Sequence, residues 1–184
     1  MNVRTTRRTA IATLAGAAAA ATLAPTASLA AMSGAAGIVA GGTLEGANGT
    51  ITFSAFGSRI TLDDVDEPVL FCALTWHDPA GLDGGPLTID FASAASYGPT
   101  DVDTERLMTG TVTINGGAEA PFALWMVDGG VVGEGGDTVH LAVGDVAVVD
   151  GTPVAGGDAG VISYEVEGEL ASGNIQIIAL PEAM

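Results

Sequence analysis

The chain has 184 residues, with five arginines and no lysine against 22 acids. Arg4, Arg7 and Arg8 lie at the start, so everything after Ala30 carries two arginines against 22 acids, a net charge of −20. Such a field repels phosphates and so excludes nucleic acid and anionic lipid surfaces, while favouring cations, basic partners or a saline medium.

Residues 1–30 read as an export signal. Met1 to Thr9 is basic and acid-free, Ala10 to Leu23 is a mildly apolar Ala-rich run, and Ala27-Ser28-Leu29-Ala30 offers a small-x-small cleavage site. The pair Arg7-Arg8 after Thr6, with Ile11 three residues on, resembles a twin-arginine export signal; an ordinary secretory signal is the other reading. The apolar run is too short and too weakly apolar for a bilayer-spanning helix, so no stable membrane insertion of the mature chain is expected. The mature protein is placed outside the cytoplasm, in the medium or the cell envelope.

Residues 31–37 are expected to form a flexible start, and 38–181 one all-β domain, enough chain for a single core. A first strand begins at Ile38 and ends at the turn Gly46-Ala47-Asn48-Gly49. Thr50 to Phe56 alternates, placing Ile51, Phe53 and Ala55 on one face; Gly57-Ser58 reads as a bulge before Arg59 to Leu62. Asp63, Asp64, Asp66 and Glu67 form an acidic loop. Val69 to Trp76 is a nearly continuous apolar run and the best candidate for a central strand. His77-Asp78-Pro79 opens a loop, Leu87 to Ala92 is a further strand, and Tyr97 to Asp101 turns the chain before a polar, exposed stretch to Arg106.

Leu107 to Ile114, the turn Asn115-Gly116-Gly117 and Ala120 to Val127 read as a hairpin, because Asn and Gly accept the positive φ of a tight turn. In its second strand Phe122, Leu124 and Met126 share one face and Trp125 takes the other. A glycine-rich loop from Asp128 to Asp137 leads to a strand over Thr138–Val143, then a short Val146–Val149, an alternating Val161–Leu170, the turn Ala171-Ser172-Gly173-Asn174 and a last strand over Ile175–Leu180. With about nine strands and no helix after the signal, the expected fold is a single antiparallel β-sandwich or barrel.

Four blocks resemble a known family. They are Gly41-Gly42-Thr43-Leu44 before Ile51-Thr52-Phe53, Thr109 to Gly116, Val127-Asp128-Gly129-Gly130 before Gly136-Asp137-Thr138-Val139, and Gly168 to Ile177. Their order resembles the post-COAP domain family, small β domains of secreted bacterial proteins. The resemblance implies a β domain outside the cytoplasm and carries over no site residue.

Candidate chemistry is sparse. Four carboxylates at Asp63, Asp64, Asp66 and Glu67, and three at Asp128, Glu134 and Asp137, supply the oxygen ligands calcium takes, although in so acidic a chain solvated carboxylates are the plainer reading. Trp125 and Tyr97 are the candidates for a sugar-stacking surface. His77, Asp78 and Asp83 at the end of an apolar strand would serve a metal-dependent hydrolase, and His140 sits on the solvent side of its strand if Val139 and Leu141 face the core. Cys72, the single cysteine, reads as an inert thiol. The first expectation is therefore an exported, non-enzymatic structural or interaction module with an unidentified protein or glycan partner. The alternative is a glycan- or small-ligand-binding module, calcium-supported if it holds a metal at all. A hydrolase ranks third.

Overall fold

In a computed structural model, residues 32–46, 49–62, 67–81, 84–130, 135–156 and 162–180 are described. The segment read as an export signal, residues 1–30, and Asp63, Asp64, Asp66, Asp83 and Glu134 lie outside them. Eleven strands form: β1 (Met32–Gly46), β2 (Gly49–Leu62), β3 (Val69–Asp78), β4 (Leu87–Pro99), β5 (Glu105–Ile114), β6 (Glu119–Val127), β7 (Thr138–Gly144), β8 (Val146–Val149), β9 (Thr152–Ala155), β10 (Ile162–Glu169) and β11 (Ser172–Leu180). Nine make one antiparallel sheet in the order β10-β7-β6-β5-β4-β3-β2-β1-β11, which curls into a half-barrel; β8 and β9 form a separate hairpin. The all-β expectation holds, in its barrel form.

Alternation sets the inner face. Ile51, Phe53 and Ala55 of β2 are buried while Thr50, Thr52 and Ser54 are exposed. Phe122, Leu124 and Met126 of β6 join the same interior as Trp76, Ile89 and Leu141. Asn115 and Gly116 both have positive φ, 51° and 66°, and Asn115 Oδ1 accepts the Thr88 N–H at 2.8 Å, so this turn also ties down β4.

Several local expectations change. β1 begins at Met32, so most of the segment read as a flexible start is strand, paired with β2 and, from Ala35, with β11. β2 passes Gly57 in unbroken register with both neighbours. Gly57 is there for space: a Cβ would collide with the Tyr97 ring. β4 runs on to Pro99 through two irregularities, between Phe91 and Ser93 and between Ala94 and Ser96. Each skips one residue and re-aims the strand, which puts Tyr97 opposite Met108, inside the core. Arg106, expected in an exposed stretch, is buried, its Nη1 donating to the carbonyls of Asp103 and Glu105.

The two edges of the sheet belong to strands joined by a tight connection, Leu170-Ala171. The Leu170 N–H donates to Asp137 O, and the Ala171 N–H to Thr43 O. Beyond that point the edge of β11 is sealed by side chains. Asp137 Oδ2 accepts the Ile175 N–H at 2.6 Å, and Asp128 Oδ2 the Ile177 N–H at 3.0 Å. Their second oxygens accept Gly129 N–H and Gly130 N–H, so each carboxylate holds its own loop and β11 together. Glu169 adds a third clasp, accepting the Gly136 N–H at 2.8 Å.

Removing the Asp137 carboxylate strands two backbone donors, one of them part-buried. Hydrogen bonds to a charged group are worth about 1.5–3 kcal/mol, so Asp137→Ala should lower unfolding stability by about 2 kcal/mol in urea titrations, and Asp137→Asn by less because one acceptor survives. An unchanged midpoint for Asp137→Ala would show that the seam does not depend on it.

Candidate functional site

The residues singled out for binding are not at the surface. Trp125 and Tyr97 are each only 4% exposed. Trp125 does take the face of β6 opposite to Phe122, Leu124 and Met126, but it joins a second small cluster with Ala123 and Ala142 on the outside of the sheet. Val146 of β8 packs against that cluster, and Thr152 and Pro153 of β9 border the same cavity as the indole. The β8–β9 hairpin thus covers the ring that alternation alone would leave in water. As placed here, neither ring offers a sugar-stacking surface.

Strand alternation also divides the hydrolase candidates. His77 is exposed on the outer face of β3, whereas Asp78 points inward and is buried. Asp78 ends a chain of buried polar groups: Trp76 Nε1–H donates to Tyr164 Oη at 2.9 Å, Tyr164 donates to Asp78 Oδ2 at 2.8 Å, and Asp78 Oδ1 accepts the Ala80 N–H. Asp78 is a fixed acceptor that lets Trp76 and Tyr164 lie in the core with their polar atoms satisfied.

Of the acidic loop, Glu67 alone is described, and it is exposed. Asp128 and Asp137 are engaged with backbone N–H groups. Among the described residues no three His, Cys, Asp or Glu side chains converge as metal ligands. Burial pushes the Cys72 thiol above its usual pKa, with a backbone hydrogen bond at Ser58 opposing it, which disfavours the reactive thiolate.

Among the described residues, His140 is the one histidine with an oriented partner. Its Nε2 lies 2.9 Å from Glu165 Oε1, and its ring stacks on Trp125 with centroids 5.0 Å apart. No nucleophile is placed with this pair among the hydrogen bonds of the described residues.

A broad uncharged surface lies on the outer face of β11-β1-β2-β3. The register aligns four rows: Phe71–Ser58–Gly37–Ile178, Ala73–Phe56–Val39–Gln176, Thr75–Ser54–Gly41–Asn174 and His77–Thr52–Thr43–Ser172. None of these 16 positions is an acid or an arginine. One half is apolar, with Phe71 52%, Val39 46% and Ile178 41% exposed. The other half is hydroxylic, and Ser54–Thr75 and Thr43–Ser172 pair their side chains at 2.8 Å. The charge returns abruptly at its border, where Thr75 faces Asp90 of β4. The signal for this face lies in four acid-free strand segments, 32–44, 50–62, 69–77 and 172–180; their adjacency only the topology supplies.

The chain matches no family profile, no curated protein and no solved structure.

Two measurements check the interior. Tyr164→Phe leaves the Trp76 N–H without an acceptor and Asp78 Oδ2 without its donor. At about 1–3 kcal/mol for a buried group left unpaired, it should destabilise by that order in urea; a neutral substitution would show the chain is not under load. Burial pushes the Tyr97 phenol up to about 12, with the Arg106 cation acting the other way, and raises Tyr164 further still. The unfolded chain, with phenols at the ordinary 10.0, therefore loses these protons first. Stability should fall as pH rises from about 10 toward 12, and a spectrophotometric titration of the native protein should show little tyrosinate at pH 10. Half-ionised tyrosine at that pH in folded protein would contradict the buried placement.

Proposed function

We propose that the protein is an exported, non-enzymatic structural module that associates with a second copy of itself through the uncharged outer face of β11-β1-β2-β3. The observation that carries this reading is the charge map. In a chain of −20 after the signal, this is a broad face on which two copies can meet without opposing carboxylates. The basic start and Ala-rich run of residues 1–30 support export. Support for a non-enzymatic role comes from His77 and Asp78 standing on opposite faces of β3.

The character of the face favours a protein surface over a glycan. Its exposed rings are Phe71 and the small imidazole of His77, while both tryptophans and both tyrosines are buried. Glycan platforms rely on wide exposed rings; protein contacts are built from mixed apolar and hydroxyl patches. Its extent bounds the strength. Four strands about 4.8 Å apart and four rows about 6.7 Å apart span roughly 500 Å². Two such faces bury about 1,000 Å² in total, the lower limit for a specific interface. The association is therefore weak and concentration-dependent.

Its salt dependence is the signature. Net charge opposes the meeting of two copies, and salt screens that repulsion, the Debye length falling from about 30 Å at 0.01 M to 3 Å at 1 M. Sedimentation velocity should show monomer at low salt and a growing dimer as salt rises, with Phe71→Asp holding the protein monomeric throughout. A monomer at every salt and protein concentration overturns self-association. A complex with a basic protein would weaken as salt rises, the opposite trend.

A further inference from the structure

The outer face of β6 and β7 carries a second feature, independent of the uncharged face. Between the sheet and the β8–β9 hairpin lies a cavity of about 280 Å³, near the small end of the usual range for ligand sites. Trp125 and His140 form its aromatic wall, Glu105 and Glu167 line it, and Thr152 and Pro153 of the hairpin border it. The Trp125 Nε1–H is buried and has no hydrogen-bond partner among the described residues. A sealed donor of this kind costs about 1–3 kcal/mol. The other tryptophan shows the usual solution, since Trp76 donates to Tyr164.

The cover is built to lift. The hairpin shares no ladder with the main sheet, and an isolated two-stranded ribbon is marginally stable. Its turn is Asp150-Gly151, both at positive φ, and its outer residues Val148 and Val149 are exposed. Both its ends meet at one point, where the Gly156 N–H donates to Asp145 O at 2.7 Å, and Gly144 just before it has φ 128°. The hairpin is thus a flap on a narrow base: Val146 packs against the Trp125 cluster, and Thr152 and Pro153 line the cavity beside it.

We infer that the Trp125–His140 shelf is a binding site for a neutral, hydroxyl-rich small molecule, a single sugar residue or a polyol, admitted when the β8–β9 flap lifts. The polar groups select that chemistry. The indole N–H requires an acceptor. Glu167 is exposed and makes no hydrogen bond among the described residues, and Glu105 has one oxygen occupied by Thr100 Oγ1, so the carboxylates are free to accept further donors. Glu165, held on His140, adds a third negative charge nearby, and no arginine lines the cavity, so an anion is repelled. A simple amine offers donors and no acceptor for the indole. A hydroxyl does both, and its C–H faces suit an aromatic wall.

The chain's two tryptophans make the test direct. The indole N–H region of a proton–nitrogen correlation spectrum holds two signals, assigned with Trp125→Phe. Glucose, mannose and N-acetylglucosamine are titrated into the labelled protein, with glucuronate and putrescine alongside. At least one neutral sugar should move the Trp125 signal progressively to saturation, leaving Trp76 in place, while glucuronate and putrescine move neither. Glu167→Gln, a change at an exposed strand position that keeps the fold, should raise the sugar concentration at half-saturation about tenfold, as loss of one charged hydrogen bond implies. Replacing Val146–Ala155 by two glycines should speed exchange of the Trp125 N–H with water. A Trp125 signal unmoved by all three sugars, in both the intact and flap-shortened proteins, overturns the site, and so does a shift with putrescine alone.

Discussion

The hydrogen bonds from Ile175 and Ile177 to Asp137 and Asp128 hold the architecture in its curled form. A nine-stranded sheet has two edges, and each unpaired edge presents a row of free backbone groups. A closed barrel removes them by pairing first strand with last. Here the register brings the last two strands together only at Leu170-Ala171, and further along carboxylates stand in for the missing strand. Each aspartate binds its own loop with one oxygen and β11 with the other, so the long β6–β7 connection becomes a staple across the seam. On the other side of β11, the close approach of β1 explains small residues: a Cβ on Gly42 or Gly173 would run into the backbone of the other's strand.

This closure sorts the side chains into three environments. The inner face holds the main core, where the Trp76–Tyr164–Asp78 chain lets two large polar aromatics be buried without an orphaned atom between them. The outer face of β6 and β7 holds the minor cluster under the flap, and these are the strands buried on both faces. Among the described residues the outer face of β11-β1-β2-β3 has no such cover, and β3 shows the difference. Its interior positions Leu74 and Trp76 are buried to 2% and 1% exposure, while Phe71 stands half in water although the strand is central in the sheet.

Much of this was legible from alternation and turn chemistry. Ile51, Phe53 and Ala55 on one side of β2, Trp125 opposite Leu124, and the Asn115-Gly116 turn all follow from period and positive φ. What escaped has specific causes. The strand β4 runs on through two bulged positions, Ala92 and Ala95, whose parity changes cancel, and the small and polar run Ser93 to Ser96 hides the continuation that carries Tyr97 inward. Asp150-Gly151 is a strong hairpin signal, but the β9 strand after it is four residues long and contains Pro153, which weakens any strand pattern. Asp128 and Asp137 beside glycines read equally as calcium ligands or as solvated acids. Their partners on β11 are backbone N–H groups 38 and 49 positions away, which no local pattern encodes. The uncharged face was present in the sequence as four acid-free segments, yet only the strand order makes them neighbours.

The sealed edges bear on how such a face can be used. Individually, an exposed valine or phenylalanine is ordinary; 16 contiguous positions without an acid or arginine, bordered by carboxylates, are not. Edge-to-edge growth is blocked on the β11 side by Asp128 and Asp137, and β10 carries Glu165, Glu167 and Glu169 on its exposed side, the kind of charge that keeps edges apart. Association through the uncharged face is then face to face, and a patch that meets its own copy about a two-fold axis consumes itself. Such a pair closes at two and leaves the acidic surfaces outward, where their mutual repulsion prevents further stacking. In the proposed pair, the same acids that weaken association at low salt would also set its limit.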